Sequence, residues 1–160
     1  MYNAINTCSF NNNNFRTGDT LDSRSIHLFN EQLRGTFFHT LLAKMLLRKL
    51  PKSMLMLSDF YDAHSVSNRH YAGTHTIDIS TIHGTVSRNG DFDYDFAPLR
   101  KSDEPRWCRV ATAMLCGLNL PAIDLIQVGD HYFVKDGHHR ISVARALGIM
   151  YLDATIEVWK

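Results

Sequence analysis

Tyr132-Phe133-Val134-Lys135-Asp136-Gly137-His138-His139-Arg140-Ile141-Ser142-Val143-Ala144-Arg145-Ala146-Leu147-Gly148 decides how this chain folds: a β-like run breaks at a glycine, passes two histidines and an arginine, and enters a helix. Ile141, Val143, Ala144 and Leu147 form the apolar side of that helix. Asp136 is placed to cap its start, and Gly148 stands where a left-handed stop is expected. Just upstream, Asp124 to Val128 and His131 to Val134 read as strands around Gly129-Asp130, a pair suited to a two-residue hairpin.

A strand-to-helix junction of this kind has the parts of an anion site. A fresh helix N-terminus presents backbone N–H groups, glycine lets the backbone come close, and arginine offers donors in a fixed fork. Gly137, Arg140 and the first helical turn supply these parts. His138 and His139 add hydrogen bonds that depend on protonation near neutral pH, and Ser142 adds a hydroxyl. The alternative is an ordinary strand-to-helix turn with a solvated helix start.

The Gly129-Asp130-x-Tyr132-Phe133-Val134-x-Asp136-Gly137-His138-His139-Arg140 run, with Asp91-Phe92-Asp93-Tyr94-Asp95-Phe96 upstream, resembles the ParB/sulfiredoxin superfamily and its ParB-like bacterial branch. Ile77 to Ile82 resembles that family's opening strand, Arg106 to Gly117 its connecting helix, Leu120 to Ile123 the lead into the next strand, and Leu152 to Val158 the closing strand. The resemblance implies an α+β fold: a small mixed sheet with helices, preceded by an α-helical N-terminal extension. It also implies that the Asp136-to-Arg140 turn holds nucleotide phosphate. Arg88 lies in a region that approaches the phosphates or base in the superfamily, and so joins Gly137, His138, His139, Arg140 and Ser142 as a phosphate-binding candidate.

Departures from the family narrow the activity. Sulfiredoxins place a nucleophilic cysteine where this chain has His138, which argues against sulfinic acid reduction. Partition ParB proteins continue into a helix-turn-helix domain, whereas this sequence stops at Lys160, directly after the last expected strand. A ParB-like serine kinase group shares the Asp-Gly-His-His-Arg turn and transfers phosphate from a nucleotide to a small hydroxyl compound.

Composition fits a soluble domain with a real core: the chain has 160 residues, 44% of them hydrophobic. Lysine plus arginine number 17 against 16 acids, a net charge of +1, so no whole-surface basic field advertises nucleic-acid binding. Cys8, Cys108 and Cys116 lack Cys-x-x-Cys spacing and read as reduced thiols of a cytoplasmic protein, with Cys108 and Cys116 as apolar filler.

Residues 1–20, with four consecutive asparagines, read as a disordered arm. Residues 21–72 read as a helical region, and 73–160 as the ParB/sulfiredoxin-like domain. Leu28, Phe29, Leu33, Phe37, Leu41, Met45 and Leu46 recur at three- and four-residue steps, Gly35 is placed to divide the helix, and Pro51 ends it. Charged residues interrupt this stretch, so it should not span a membrane. Its basic bias suits nucleic acid, anionic lipid or a partner helix, including homodimerisation through the N-terminal helices, or else a core-packing helix with a solvated face.

Asp91, Asp93 and Asp95 alternate as on one face of a strand, while Phe92, Tyr94 and Phe96 pack on the other. An EF-hand is excluded because Phe96 and Ser102 stand where that loop needs glycine and glutamate. Either this is a solvated loop with aromatic anchors, or it is an active-site loop. In the second reading Asp91, Asp93 and His138 are the catalytic candidates, and Asp93 and Asp95 hold Mg²⁺ through nucleotide phosphates. Ser102 to Trp107 opens a helix whose Trp107 belongs to the core.

The resulting expectation is a nucleoside-phosphate-binding domain, acting as an NTP-dependent phosphohydrolase or small-molecule kinase with Mg²⁺. The alternatives are a DNA-binding or nucleolytic ParB-like protein, or a non-catalytic sensor or dimerisation module.

Overall fold

Gly129, at φ 57°, joins β4 (Ile123–Val128) to β5 (His131–Asp136) in an antiparallel hairpin with Val128 opposite His131. Positive φ at the first turn residue alone is the pattern of a type II′ turn, whose twist suits a hairpin. The computed structural model describes residues 18–46, 54–60, 68–87 and 90–160. Much of the expected N-terminal arm lies outside these residues, as do Arg88 and Cys8.

Among the described residues the chain is mixed α/β, with four α-helices and one six-stranded mixed sheet. The other strands are β1 (Leu55–Met56), β2 (Arg69–Asp78), β3 (Ile82–Thr85) and β6 (Tyr151–Trp159), in the order β1-β3-β5-β4-β6-β2. The β1·β3, β3·β5 and β4·β6 pairs are parallel; β4·β5 and β2·β6 are antiparallel.

The helices are α1 (Gly18–Leu46), α2 (Leu57–Phe60), α3 (Glu104–Leu115) and α4 (His138–Ala146). Alternation along the strands sends Ile123, Leu125, Val134, Ala154 and Ile156 to one face, where they bury Ile141 and Ala144 of α4 together with Phe92 and Phe96. Ile126 and Phe133 point the other way, onto Leu57 of α2. A second apolar cluster joins three helices through Phe29 of α1, Trp107 and Ala111 of α3, and Val143 of α4. The rings of Phe29 and Trp107 meet edge to face at 5.5 Å. Trp107 is fully buried, as a core residue should be.

Several sequence expectations change. Ile77 to Ile82 is not one strand: β2 stops at Asp78 and residues Ile79–Thr81 form a 3₁₀ turn. The cause is local, because the Asp78 carboxylate accepts from the Ser80 N–H at 2.8 Å and the Thr81 hydroxyl donates to the Asp78 carbonyl at 2.7 Å. The helix expected to divide at Gly35 runs unbroken from Gly18 to Leu46; a mid-helix glycine costs only about 1 kcal/mol. Phe37, expected in its buried stripe, is 67% exposed. The sheet also begins earlier than the boundary drawn before residue 73, since β1 pairs with β3 and β2 starts at Arg69.

Cys116, at the C-terminal end of α3, is disulfide-bonded, whereas Cys108 is a free thiol. Cysteine usage therefore no longer argues for a reducing compartment. No helix among the described residues is long and apolar enough to cross a membrane.

Candidate functional site

The N-cap residue of α4 is a glycine, which has no side chain to cap the helix. Gly137 occupies the N-cap position at φ 104° and ψ 13°, and its carbonyl accepts the Ile141 N–H at 3.0 Å. Asp136, expected as the cap, instead reaches forward one turn and pairs with Arg140 at 2.7 Å. A capping side chain would otherwise lie across the first N–H groups of the helix. In its place is a cavity of about 250 Å³, lined by Arg106, Val110, Leu120, Pro121, Asp136, Gly137, His138, His139 and Arg140.

Arg140 holds this corner together. Its guanidinium donates to the carbonyls of Pro121 and Ala122, the second at 2.7 Å, and to Asp136. One side chain thus fastens the segment entering β4 to the first turn of α4. Three of its N–H donors are committed to protein acceptors, which leaves less for a bidentate ligand contact than the sequence suggested.

Arg106 of α3 brings a second guanidinium to the cavity. It lies one turn from Val110 on α3, and both line the cavity. The i, i+4 spacing of Arg106 and Val110 is the sequence signal that puts both on one side of α3.

The two histidines are interior groups. The His138 Nε2 and the Thr85 hydroxyl lie 2.7 Å apart, and the His138 ring stacks on Phe92 at 5.9 Å. His139 meets the edge of the same Phe92 at 5.1 Å. Ser142 is buried and accepts the indole N–H of Trp107 at 2.8 Å, so its hydroxyl oxygen joins α3 to α4.

The acidic segment is a turn, not an extended strand. Asp93 Oδ1 accepts the N–H groups of Asp95 and Ala97 at 2.9 and 2.8 Å, Phe92 bridges to Pro98, and Phe96 adopts φ 59°. Phe92 and Phe96 are buried as expected, and Tyr94 stacks on His83 with centroids 6.0 Å apart. Asp91 pairs with Arg100 at 2.9 Å, and Asp95 lies 3.6 Å from Arg145.

Arg145 also donates to the carbonyls of Ile79 and Ile82 and lies over the Phe96 ring. Burial lowers the pKa of its guanidinium, with Asp95 and Asp93 opposing that shift. Burial raises the Asp93 carboxyl pKa above its usual range, against the two backbone hydrogen bonds that favour the anion.

Asp91, Asp93 and Asp95 do not line the cavity at Gly137. Asp95 borders a separate cavity of about 400 Å³ with Asp78, His83, Tyr94 and Arg145, at the other end of α4. The three carboxylates are therefore not among the residues lining that cavity, although Phe92, between Asp91 and Asp93, packs on His138 and His139 at the start of α4. Among the described residues no group of three or more His, Cys, Asp or Glu side chains could hold a metal ion.

The raised Asp93 pKa has a testable sign. The folded state binds this proton more tightly than the unfolded state, so ionisation at neutral pH costs stability, and that cost is relieved on acidification through the raised pKa. Asp93→Asn keeps the acceptor for both backbone N–H groups but cannot titrate. Thermal unfolding of the two proteins should show their difference shifting in favour of wild type between neutral pH and about pH 4. A shift the other way would show that the hydrogen bonds outweigh burial.

No protein-family model, curated protein or solved structure matches this chain.

Proposed function

We propose that this chain binds a phosphate-bearing ligand, with nucleoside phosphates as the preferred class, at the N-terminus of α4 on a ParB/sulfiredoxin-like scaffold. The scaffold reading rests on the Asp-Gly-His-His-Arg motif and on the strand–glycine–helix unit built around it. The observation that carries the ligand reading is the cavity at the glycine N-cap of α4, which Arg106 and Arg140 also line. Backbone N–H groups and the helix dipole favour an anion there, and Arg106 supplies the charge.

Asp136 is the acidic residue among those lining the cavity, so a magnesium ion carried in with a nucleotide falls to Asp136 and not to Asp93 or Asp95. Hydrolysis or transfer of a phosphoryl group is the activity to assay once binding is established. His138 and Ser142 belong to the scaffold beneath the site, through Thr85 and Trp107 respectively.

The decisive residue for a test is Arg106, since Arg140→Ala would loosen the corner that forms the cavity. Thermal unfolding with inorganic phosphate and with nucleoside di- and triphosphates, with and without Mg²⁺, should show stabilisation; a ligand at 100 times its Kd contributes about 2.7 kcal/mol. Arg106→Ala should leave the unliganded melting point nearly unchanged and weaken binding by about 10- to 100-fold, the value of one charge-assisted contact. If no phosphate compound shifts the transition while DNA does so in a salt-dependent way, the DNA-binding reading replaces this one. If neither acts, the fold serves as a non-catalytic interaction module.

A further inference from the structure

Strand β2 ends the sheet. Ten residues long, it pairs with β6 along one edge, and no other described strand pairs with it. Its formal charges are confined to its two ends, Arg69 and Asp78, with Tyr71, Ala72, Gly73, Thr74 and Thr76 between them. Long exposed edges are templates for pairing with another chain, and proteins that avoid this place charges, prolines or bulges within the edge; β2 has a bulge between Tyr71 and Gly73 but no charge or proline between its ends.

The backbone directions along β2 follow from its ends. Asn68 and Lys160 exchange both N–H···O bonds at 2.9 Å, and the Ile79 N–H reaches the Met150 carbonyl at 2.9 Å. Bonded and non-bonded positions alternate in an antiparallel ladder. Arg69, Tyr71, Thr74, Thr76 and Asp78, opposite Trp159, Glu157, Thr155, Asp153 and Tyr151, therefore direct their N–H and C=O groups away from β6.

The bulge between Tyr71 and Gly73 sets this pattern. Without its extra residue Asp78 would face β6. With it, the outward set has two residues on each side of Thr74, at equal steps of two along the opposed β6 positions, the Tyr71-to-Thr74 step taking three residues of β2 because of the bulge. The carbonyl of the extra residue, Ala72, lies 2.9 Å from His75 Nε2 and is satisfied locally.

We propose that two copies of this chain associate through β2, antiparallel and two-fold symmetric about Thr74, joining two six-stranded sheets into one. Thr74 faces its own copy, the 67%-exposed Tyr71 faces Thr76 of the second copy, and Arg69 faces Asp78 of the second copy at both ends. All five outward positions are hydrogen-bonded pairs in this register, and opposite charges meet at each seam.

Sedimentation velocity on the full chain over a concentration series should show a species of twice the monomer mass. Thr74→Pro removes an N–H that points away from β6, so it should preserve the fold, checked by circular dichroism, and abolish the dimer. Arg69→Glu and Asp78→Lys each set like charges against one another at both seams, and each alone should self-associate about tenfold more weakly. Mixed together, the two variants regain opposite charges at both seams and should form a heterodimer. If Thr74→Pro fails to fold, this charge pair decides the question.

A wild-type protein that stays monomeric at the highest concentration overturns the proposal. So does a dimer that survives in folded Thr74→Pro, which would point to another surface such as the exposed Phe37 and Phe38 of α1. Failure of the mixed charge variants to associate overturns it as well.

Discussion

Trp107→Ala is expected to destabilise the protein by at least about 3–5 kcal/mol, the usual cost of deleting a fully buried large aromatic side chain. Trp107 is completely buried between α1, α3 and α4, edge to face with Phe29. Its indole N–H donates to the buried Ser142 hydroxyl at 2.8 Å, so truncation opens a cavity and also removes a donor from a buried polar group. Against a total stability of about 5–15 kcal/mol, this brings the chain close to unfolding.

Trp107→Phe separates the two contributions. It keeps most of the volume and loses the N–H, so it should cost about 1–3 kcal/mol. Urea unfolding of both variants provides the check. A loss below about 1 kcal/mol for Trp107→Ala would mean that the three-helix seam does not hold α3 in place. Because that seam carries Arg106 to the cavity at the start of α4, the phosphate binding proposed for that cavity should fail together with stability in Trp107→Ala.

Gly137→Ala is the second large effect, expected at about 2–5 kcal/mol from two sources. At φ 104° an L-residue is strained, and a Cβ at Gly137 would stand 2.5 Å from Ile123 Cγ2 and 2.8 Å from Ile123 Cβ. Neither atom is the free end of a flexible chain, since Ile123 is buried in β4. Gly148→Ala is the control, because Gly148 has φ 70° with nothing within 4 Å of the added carbon. It should cost only the backbone strain, about 1–2 kcal/mol. Equal losses in the two variants would show that β4 yields at Ile123 and that the close approach at Gly137 is not required.

The strand–glycine–helix unit was legible because its signals are local. Gly129-Asp130 makes its own hairpin, Gly137 starts α4, and its apolar residues are buried on two sides, Ile141 and Ala144 against the sheet and Val143 against α1 and α3. The break after Asp78 was missed although its cause is also local. Ile77 to Ile82 has the β-branched composition of a strand, while the Asp78 carboxylate and the Thr81 hydroxyl bond to nearby backbone and bend the chain. Composition outweighed capping in that reading, and the hydrogen bonds reverse the order.

The candidate site was only half legible. The sequence by itself determined the anion-suited helix start, because a glycine N-cap and the backbone dipole are properties of a few consecutive residues. Tertiary structure alone decided what surrounds that start. Arg140 turns to the carbonyls of Pro121 and Ala122, Ser142 accepts from Trp107, and the Asp91-to-Asp95 turn packs Phe92 on the start of α4 while Asp95 lies beside Arg145 near its end. A side chain with several donors or acceptors takes whichever partners the fold brings within about 3 Å, and those partners are far away in sequence. Thus the helix start was written locally, while the cation left beside it, Arg106 on α3, was decided by packing.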